Sequence, residues 1–544
     1  MLNVPNKVER EKETMKKQEI KRPLPFMPFE DLKHGLTPEK LDEYKAFVSH
    51  TIHAQDMIYE QKRDTLAATA LNSLPYPPLS PEVLELIDAG VICLISEGAA
   101  PYHPRYVAPD YAHLLQHGSA FMELPPARDL FDATASLLTA YKYIPCAGLP
   151  VFIGRLDELL EPYIDTVPAE TARSNLKQFW MLVDRLNPSA FVHANIGPKE
   201  TYIGRLLLEV DRELRTITNL TLRYDPDITS NDFALQAVQN ALELTKPYFL
   251  NHRMMLADWG EDYVIASCYN GMRIGGGIYT LVRINLQEAA RLSDGSQEDL
   301  LERILPHVVA KTSEVVNSRV DFLVNDIRWF ENNTWIEEGF LQREKFTAYT
   351  AIFGLAEAVN ETLARSGKPD LRYGHAPEAN SLADKIANRI GDLIREKPIA
   401  NCDGTYGHSC FHAQVGISTD IGVTPSSRVP SGEEPELYDH ILAEAPTHRQ
   451  LLGGTSTILE FDQTAANNPQ AVLDIIRGAH AQGTRNLSIG SANSEFVRVT
   501  GYLVRRCDLE AKEQEKAARY SSAALASGFM QTKPNHLHRR IRNV

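Results

Sequence analysis

The sequence predicts an α/β protein. Short apolar runs of strand type alternate with longer segments of helical period along most of its 544 residues. Hydrophobic residues make up 43% and charged residues 23%, a globular balance that excludes a wholly disordered or fibrous chain. No internal repeat or low-complexity linker divides it. A length that would suggest three or four domains of roughly 150 residues is therefore read as one large domain with appended segments.

Taken in order, residues 1–23 alternate Lys, Arg and Glu without an apolar core, which describes a charged extension and not a signal peptide. Residues 24–120 are expected to be helical and peripheral, punctuated by Pro75, Pro77, Pro78 and Pro81. From Pro126 to about Leu250 helical period dominates. Helices are expected over 127–143, 173–186, 204–216 and 231–245, the last capped by Ser230 or Asn231. Residues 263–267 read as a short buried strand that ends at Cys268. A glycine-rich turn follows (Gly271, Gly275, Gly276, Gly277), then a strand over 278–286. Helices are expected over 297–322, over 347–366 with Gly367 as the cap, and over 379–396. After a strand at 455–461, Asn468-Pro469 opens a helix that stops at Gly483. The runs 486–491 and 496–505 are again strand-like.

The net charge of −15 argues against general nucleic-acid binding, which needs a basic stripe to neutralise phosphates. No window approaches the ~18 apolar residues of a membrane span. Six cysteines (Cys93, Cys146, Cys268, Cys402, Cys410, Cys507) stand mostly alone, with neither zinc-ribbon spacing nor an iron–sulfur triplet. The expectation is a soluble protein of a reducing, cytoplasmic setting.

The sharpest feature is Arg498-Val499-Thr500-Gly501-Tyr502, close to the C-terminus. By itself it reads as a glycine bulge or turn in a strand. With its position, it resembles the radical-bearing loop of the glycyl radical enzymes, which carry Arg-Val-X-Gly-Tyr near their C-termini. A radical at a glycine Cα lies between an amide donor and a carbonyl acceptor and delocalises into both, with no side chain in the way. The resemblance implies that Gly501 stores the unpaired electron. It also implies a thiyl cysteine, and Cys268, after apolar Val264-Ile265-Ala266 at the mouth of a turn, is the candidate. Apolar surroundings keep a thiol protonated, as hydrogen-atom transfer requires. Taken alone, Cys268 would be a small buried hydrophobe.

Weaker similarities extend the match. Ala376-Pro377-Glu378-Ala379, Tyr406 to His412, and Glu444-Ala445-Pro446-Thr447-His448 resemble segments of anaerobic ribonucleotide reductases in the same order. As a whole the chain looks most like the YjjI-type glycine radical family. It departs from other branches: Cys268 is followed by Tyr269 where pyruvate formate-lyase has a second cysteine. Asn270 stands where the dehydratases have a general-base Glu. The four-cysteine zinc site of the reductases is missing. Glu378 is the candidate general base, or else a helix-N-terminal carboxylate stabilised by the dipole. His408, Cys410 and His412 are candidates to line the substrate cavity. With Cys402 they also admit a metal reading, although Cys-X7-Cys is not a standard zinc spacing. The Gly275–Gly277 run reads as a tight turn and not a dinucleotide fingerprint. The basic tail 536–542 reads as a solvated or interface element.

The resemblance implies a ten-stranded barrel of two antiparallel five-stranded halves wrapped by helices, formed by residues 121–544, with the radical loop at 486–510. It implies an enzyme in which the Cys268 thiyl abstracts hydrogen from a small polar substrate under anaerobic conditions, leading to elimination, rearrangement or bond cleavage. No cofactor is expected in the resting chain. A separate radical-SAM activase with an iron–sulfur cluster would install the radical at Gly501, and segment 490–510 would need a loosely held state to reach it. A homodimer is expected, with neither nucleic acid nor membrane as partner. The alternatives are a nucleotide-binding relative of the anaerobic reductases and a non-enzymatic descendant of the barrel.

Overall fold

The computed structural model describes residues 38–72, 77–94, 102–144, 151–186, 189–413, 422–532 and 538–544. The charged extension expected at 1–23 lies outside them. The fold is α/β, and its strands form two main sheets and two hairpins.

In the larger sheet, Gly154–Arg155, His193–Ile196, Asn219–Tyr224 and Tyr248–Asn251 run parallel in that order. Asn486–Ser491 pairs antiparallel with Tyr248–Asn251. Thr457–Phe461 then lies parallel to Asn486–Ser491, and the C-terminal Ile541–Arg542 parallel to Thr457–Phe461. In the smaller sheet, Gly276–Asn285, Phe346–Phe353 and Cys410–Ala413 are parallel. Ile92–Leu94 and Tyr106–Ala108 pair antiparallel with the first of these. One isolated parallel bridge pairs His412 of the smaller sheet with Gly454, three residues before Thr457–Phe461 of the larger. The principal strands therefore form two oppositely directed sets that meet where Tyr248–Asn251 pairs with Asn486–Ser491.

The composition of Asn219–Tyr224 explains how this sheet holds a polar site. All six residues are buried. Alternation places Leu220, Leu222 and Tyr224 on one face, where they belong to the main hydrophobic core, and Asn219, Thr221 and Arg223 on the other. From that second face Asn219 Nδ2 donates to the Ser267 carbonyl at 3.1 Å. In the neighbouring strand Asn195 donates to Ile265 and accepts from its N–H, at 2.8 and 2.9 Å. One face is apolar for the core, and the other is polar to receive the hairpin at 263–273.

Most expected helices are present: Leu130–Lys142, Ala169–Leu186, Tyr202–Leu214, Asn231–Leu244, Leu305–Asp321, Pro377–Arg395 and Pro469–Gln482. Ser230 is the cap of the fourth, its hydroxyl accepting from the Phe233 N–H at 3.2 Å. Asn468 caps the last, which ends at Gly483 with φ 100°. Three expectations are corrected. The helix expected over 347–366 begins only at Leu355, because Phe346–Phe353 is a fully buried strand. With both faces covered, its β-branched and aromatic residues show no alternation to separate them from a helix. The strands His193–Ile196, Asn219–Tyr224 and Tyr248–Asn251 lie within the stretch where the sequence predicts only helices. The segment expected to be wholly helical before residue 120 supplies Ile92–Leu94 and Tyr106–Ala108 to the smaller sheet. Among the described residues, no helix is long and apolar enough to cross a membrane.

Candidate active site

Two hairpins meet tip to tip. Tyr263–Ala266 pairs with Asn270–Arg273 so that Ala266 faces Asn270, which leaves Ser267, Cys268 and Tyr269 as the turn. Ser267 takes a left-handed φ of 55°. Phe496–Arg498 pairs with Leu503–Arg505, and the Val499 N–H donates to the Tyr502 carbonyl at 3.1 Å, closing a tight tip that holds Gly501. Cys268, Tyr269, Val497, Val499, Tyr502, Leu503 and Val504 belong to a small hydrophobic core of their own.

Gly501 and Cys268 touch. A Cβ placed on Gly501 would lie 2.3 Å from the Cys268 Cβ, 2.8 Å from its Sγ and 2.8 Å from Tyr269 Cε1. Gly501 does not have a positive φ, so available space and not backbone torsion demands glycine here. Its carbonyl accepts from the Tyr248 hydroxyl at 2.8 Å and from Arg498 Nη1 at 3.4 Å. Arg498, fully buried, also donates to Ser488 Oγ (3.1 Å), Asn219 Oδ1 (2.8 Å) and the Thr245 carbonyl (2.6 Å), and lies 4.0 Å over the Tyr248 ring. Every nitrogen of this guanidinium thus has an oxygen acceptor, and it fixes the base of the glycine hairpin to the larger sheet.

Burial pushes the Cys268 thiol up to about 12, against a smaller opposing pull from the Ser267 hydroxyl 3.8 Å away and from Arg498 and Arg428. At neutral pH the sulfur keeps its hydrogen. His193 supports the turn from behind: its Nδ1–H donates to the Ser267 carbonyl at 2.6 Å, and its Nε2 accepts from the Thr221 hydroxyl at 2.7 Å. Burial lowers His193 to about 3, so the imidazole is neutral, as this arrangement requires. On the other flank, Tyr269 lies 5.7 Å from the His412 ring, which stacks on Tyr349 at 4.7 Å.

The other sequence candidates divide. Cys410 is buried and shares a strand face with His412, and burial pushes its thiol upward. Cys402 is buried, its thiol up to about 12. His408 is half-buried, and its carbonyl accepts from the Thr405 hydroxyl at 2.6 Å. Glu378 is on the surface in the first turn of Pro377–Arg395, 43% exposed and ion-paired with Lys368 at 2.6 Å. The structure does not bring it to the hairpins. The glycine run is a packing turn: a Cβ on Gly276 would meet the Lys345 carbonyl at 2.4 Å, and one on Gly277 the Phe346 ring at 2.5 Å. Among the described residues no three His, Cys, Asp or Glu side chains are grouped to hold a metal.

Several participants carried no sequence signal. Tyr248, His193 and Asn219 arrive from strands distant in the chain. Glu444, by contrast, opens the segment 444–448 that resembles the reductases, and it is a buried hub that accepts from His440 Nε2 (3.0 Å), the Val429 N–H (2.8 Å) and the Thr457 hydroxyl (2.6 Å). These donors outweigh burial and hold its carboxyl near 2. In the described part of the basic tail His538 and Arg540 are exposed, while Arg539 and Arg542 are buried. Arg539 and Arg542 are 8% and 7% exposed. Arg539 donates to the Val499 carbonyl at 2.7 Å and pairs with Glu460 at 3.3 Å, while Arg542 donates to His440 Nδ1 at 2.9 Å.

Residues 57–542 match the family model described as "Glycyl radical enzyme YjjI-like". The chain is 40% identical over 456 residues to the "Uncharacterized protein YjjI" of Escherichia coli (strain K12), covering 83% of this chain and 87% of the relative. It is 36% identical over 486 residues to an "Uncharacterized protein" of Haemophilus influenzae (strain ATCC 51907 / DSM 11121 / KW20 / Rd), covering 88% and 94%. Among solved structures, an anaerobic ribonucleotide reductase superposes with a TM-score of 0.64 at 12% identity, over 94% of this chain and 90% of that one. A Roseburia inulinivorans protein solved in a study of 1,2-propanediol dehydration gives 0.62 at 11%, over 92% and 89%. At such identities the structural likeness speaks for the fold.

Proposed function

Because the chain belongs to the YjjI-like glycyl radical enzyme family, we propose that Gly501 stores an unpaired electron and that Cys268 carries it to a small polar substrate under anaerobic conditions. The observation that carries this reading is the contact of the two residues, with a Cβ on Gly501 lying only 2.8 Å from the Cys268 sulfur.

The steps balance as hydrogen-atom transfers. The Gly501 Cα radical takes the hydrogen of the Cys268 thiol, giving glycine and a thiyl. The thiyl takes a hydrogen from substrate carbon, which restores the thiol and leaves a carbon radical that eliminates, rearranges or fragments. The product radical recovers the hydrogen from Cys268, and the thiyl recovers its own from Gly501. A thiol held protonated by burial suits each step. Of the acid–base candidates, His412 is the one packed beside Tyr269, and Glu378 is too exposed to serve. The two oppositely directed strand sets are read as the halves of a ten-stranded barrel that keeps water and oxygen from the radical. A separate radical-SAM activase is the implied partner for installing the radical.

The test is anaerobic electron paramagnetic resonance of the full chain with a competent activase. A glycyl doublet is expected, lost in Gly501→Ala and kept in Cys268→Ser. A silent wild-type spectrum would sink the reading.

A further inference from the structure

We infer that the substrate carries an anionic group, a carboxylate or a phosphate, held by the guanidinium of Arg428 beside the Cys268–Tyr269 turn. The inference rests on the reading of Cys268 as the thiyl residue and adds to it the chemical class of what that residue attacks.

Arg428 is 6% exposed. Its Nε donates to the Ser456 carbonyl at 2.7 Å, and one terminal nitrogen reaches the Tyr269 hydroxyl at 3.5 Å, with the guanidinium 5.8 Å from the Tyr269 ring. The other terminal nitrogen, Nη1, is buried and has no hydrogen-bond partner. No carboxylate of the described residues lies within ion-pair distance of it.

Several other buried cations have their charge compensated by a carboxylate. Lys246 pairs with Asp211, Arg485 with Asp258 and Arg223 with Glu158. Arg498 lacks a carboxylate too, but all three of its nitrogens have oxygen acceptors. Arg428 alone among these retains both an uncompensated charge and an unused donor, and burying such a group is costly unless a counter-charge arrives. A guanidinium is also the side chain best matched in shape to a carboxylate or phosphate.

Its position ties it to the chemistry. It contacts the residue that follows Cys268, whose ring edge lies against Gly501, and its charge acts on the Cys268 thiol. Two residues after Cys268, Asn270 is 3% exposed and spends its Nδ2 on the Ala266 carbonyl at 3.1 Å, while its Oδ1 is buried without a partner. An acceptor suited to a substrate hydroxyl therefore stands one residue after Tyr269, which the donor suited to an anion contacts. Small hydroxylated carboxylates or phosphate monoesters combine the two.

The test uses the full-length protein before activation and three probes of one carbon skeleton: glycerate, glycerol 3-phosphate and neutral glycerol. At least one anion is expected to raise Tm saturably at concentrations where glycerol does not, and the responding anion separates carboxylate from phosphate. Arg428→Gln should weaken that affinity about 10- to 100-fold, as expected for a lost charge-assisted hydrogen bond. Arg428→Lys, which keeps the charge but not the fork, should fall between. The inference is overturned if glycerol stabilises equally, if neither anion does, or if Arg428→Gln binds as the wild type does. Should the Gln variant fail to fold, unchanged affinity in the Lys variant overturns it as well. A missing paramagnetic doublet in the wild type with normal anion binding would sink the radical reading and leave the anion site standing.

Discussion

The guanidinium of Arg539 donates a 2.7 Å hydrogen bond to the carbonyl of Val499, two residues before the glycine that touches Cys268. A tail residue thereby holds the hairpin that an activase would have to reach. Arg539→Ala removes a hydrogen bond made by a buried charged group, a loss of about 1.5–3 kcal/mol. Protection of the 496–505 amides should fall about 10- to 100-fold in hydrogen exchange if the hairpin opens as a local unit. Radical installation by a competent activase should be faster. Unchanged exchange in this segment would show that the tail does not restrain it.

Gly501→Ala should destabilise the resting protein irrespective of any radical. The added methyl would lie 2.3 Å from the Cys268 Cβ, closer than packed carbons approach. Overpacking of this kind costs about 1–3 kcal/mol. Denaturant unfolding of the variant against wild type measures it, and Cys268→Ser should give no relief, because the obstructing Cβ stays in place.

Acid should loosen the thiol hairpin by way of His193. In the folded chain its imidazole stays neutral until about pH 3, whereas an unfolded histidine binds a proton near 6.5. The unfolded state therefore binds more protons below that value. The contribution is fully present above about pH 6.5 and declines as pH falls toward 3. His448, also lowered to about 3 by burial, acts in the same direction. Thermal scans from pH 7 to 4 should show stability falling, with a shallower fall in His193→Gln. Equal slopes would assign the effect elsewhere.

The sequence made the Gly501–Cys268 pair legible because its signal is local: five consecutive residues around Gly501, and an apolar strand running into Cys268. What it hid was the frame. His193–Ile196 and Asn219–Tyr224 do alternate polar and apolar residues, but they are only four and six residues long and are flanked by stronger helical patterns, and their polar residues turn to a buried face that sequence does not reveal. Phe346–Phe353 is buried throughout and has no alternation of polarity at all. Glu378 was attractive as a carboxylate at a helix start, and the helix is present, but its first turn faces solvent and Lys368. Arg428 and Arg539 act through partners 159 and 40 residues away in the chain, distances over which sequence pattern carries no information.

Beyond Gly501 the chain does not simply trail away. It returns, and Ile541–Arg542 lies in register with Glu460 and Phe461 while Arg542 reaches His440. A backbone break at Gly501, as oxygen would cause in the activated state, severs the polypeptide between two parts that remain hydrogen-bonded to one another. The damaged molecule should migrate as two pieces under denaturing conditions and as one by size in native buffer. Oxidative damage to this protein would then be a silent nick, leaving an inactive molecule with the outward form of a whole one.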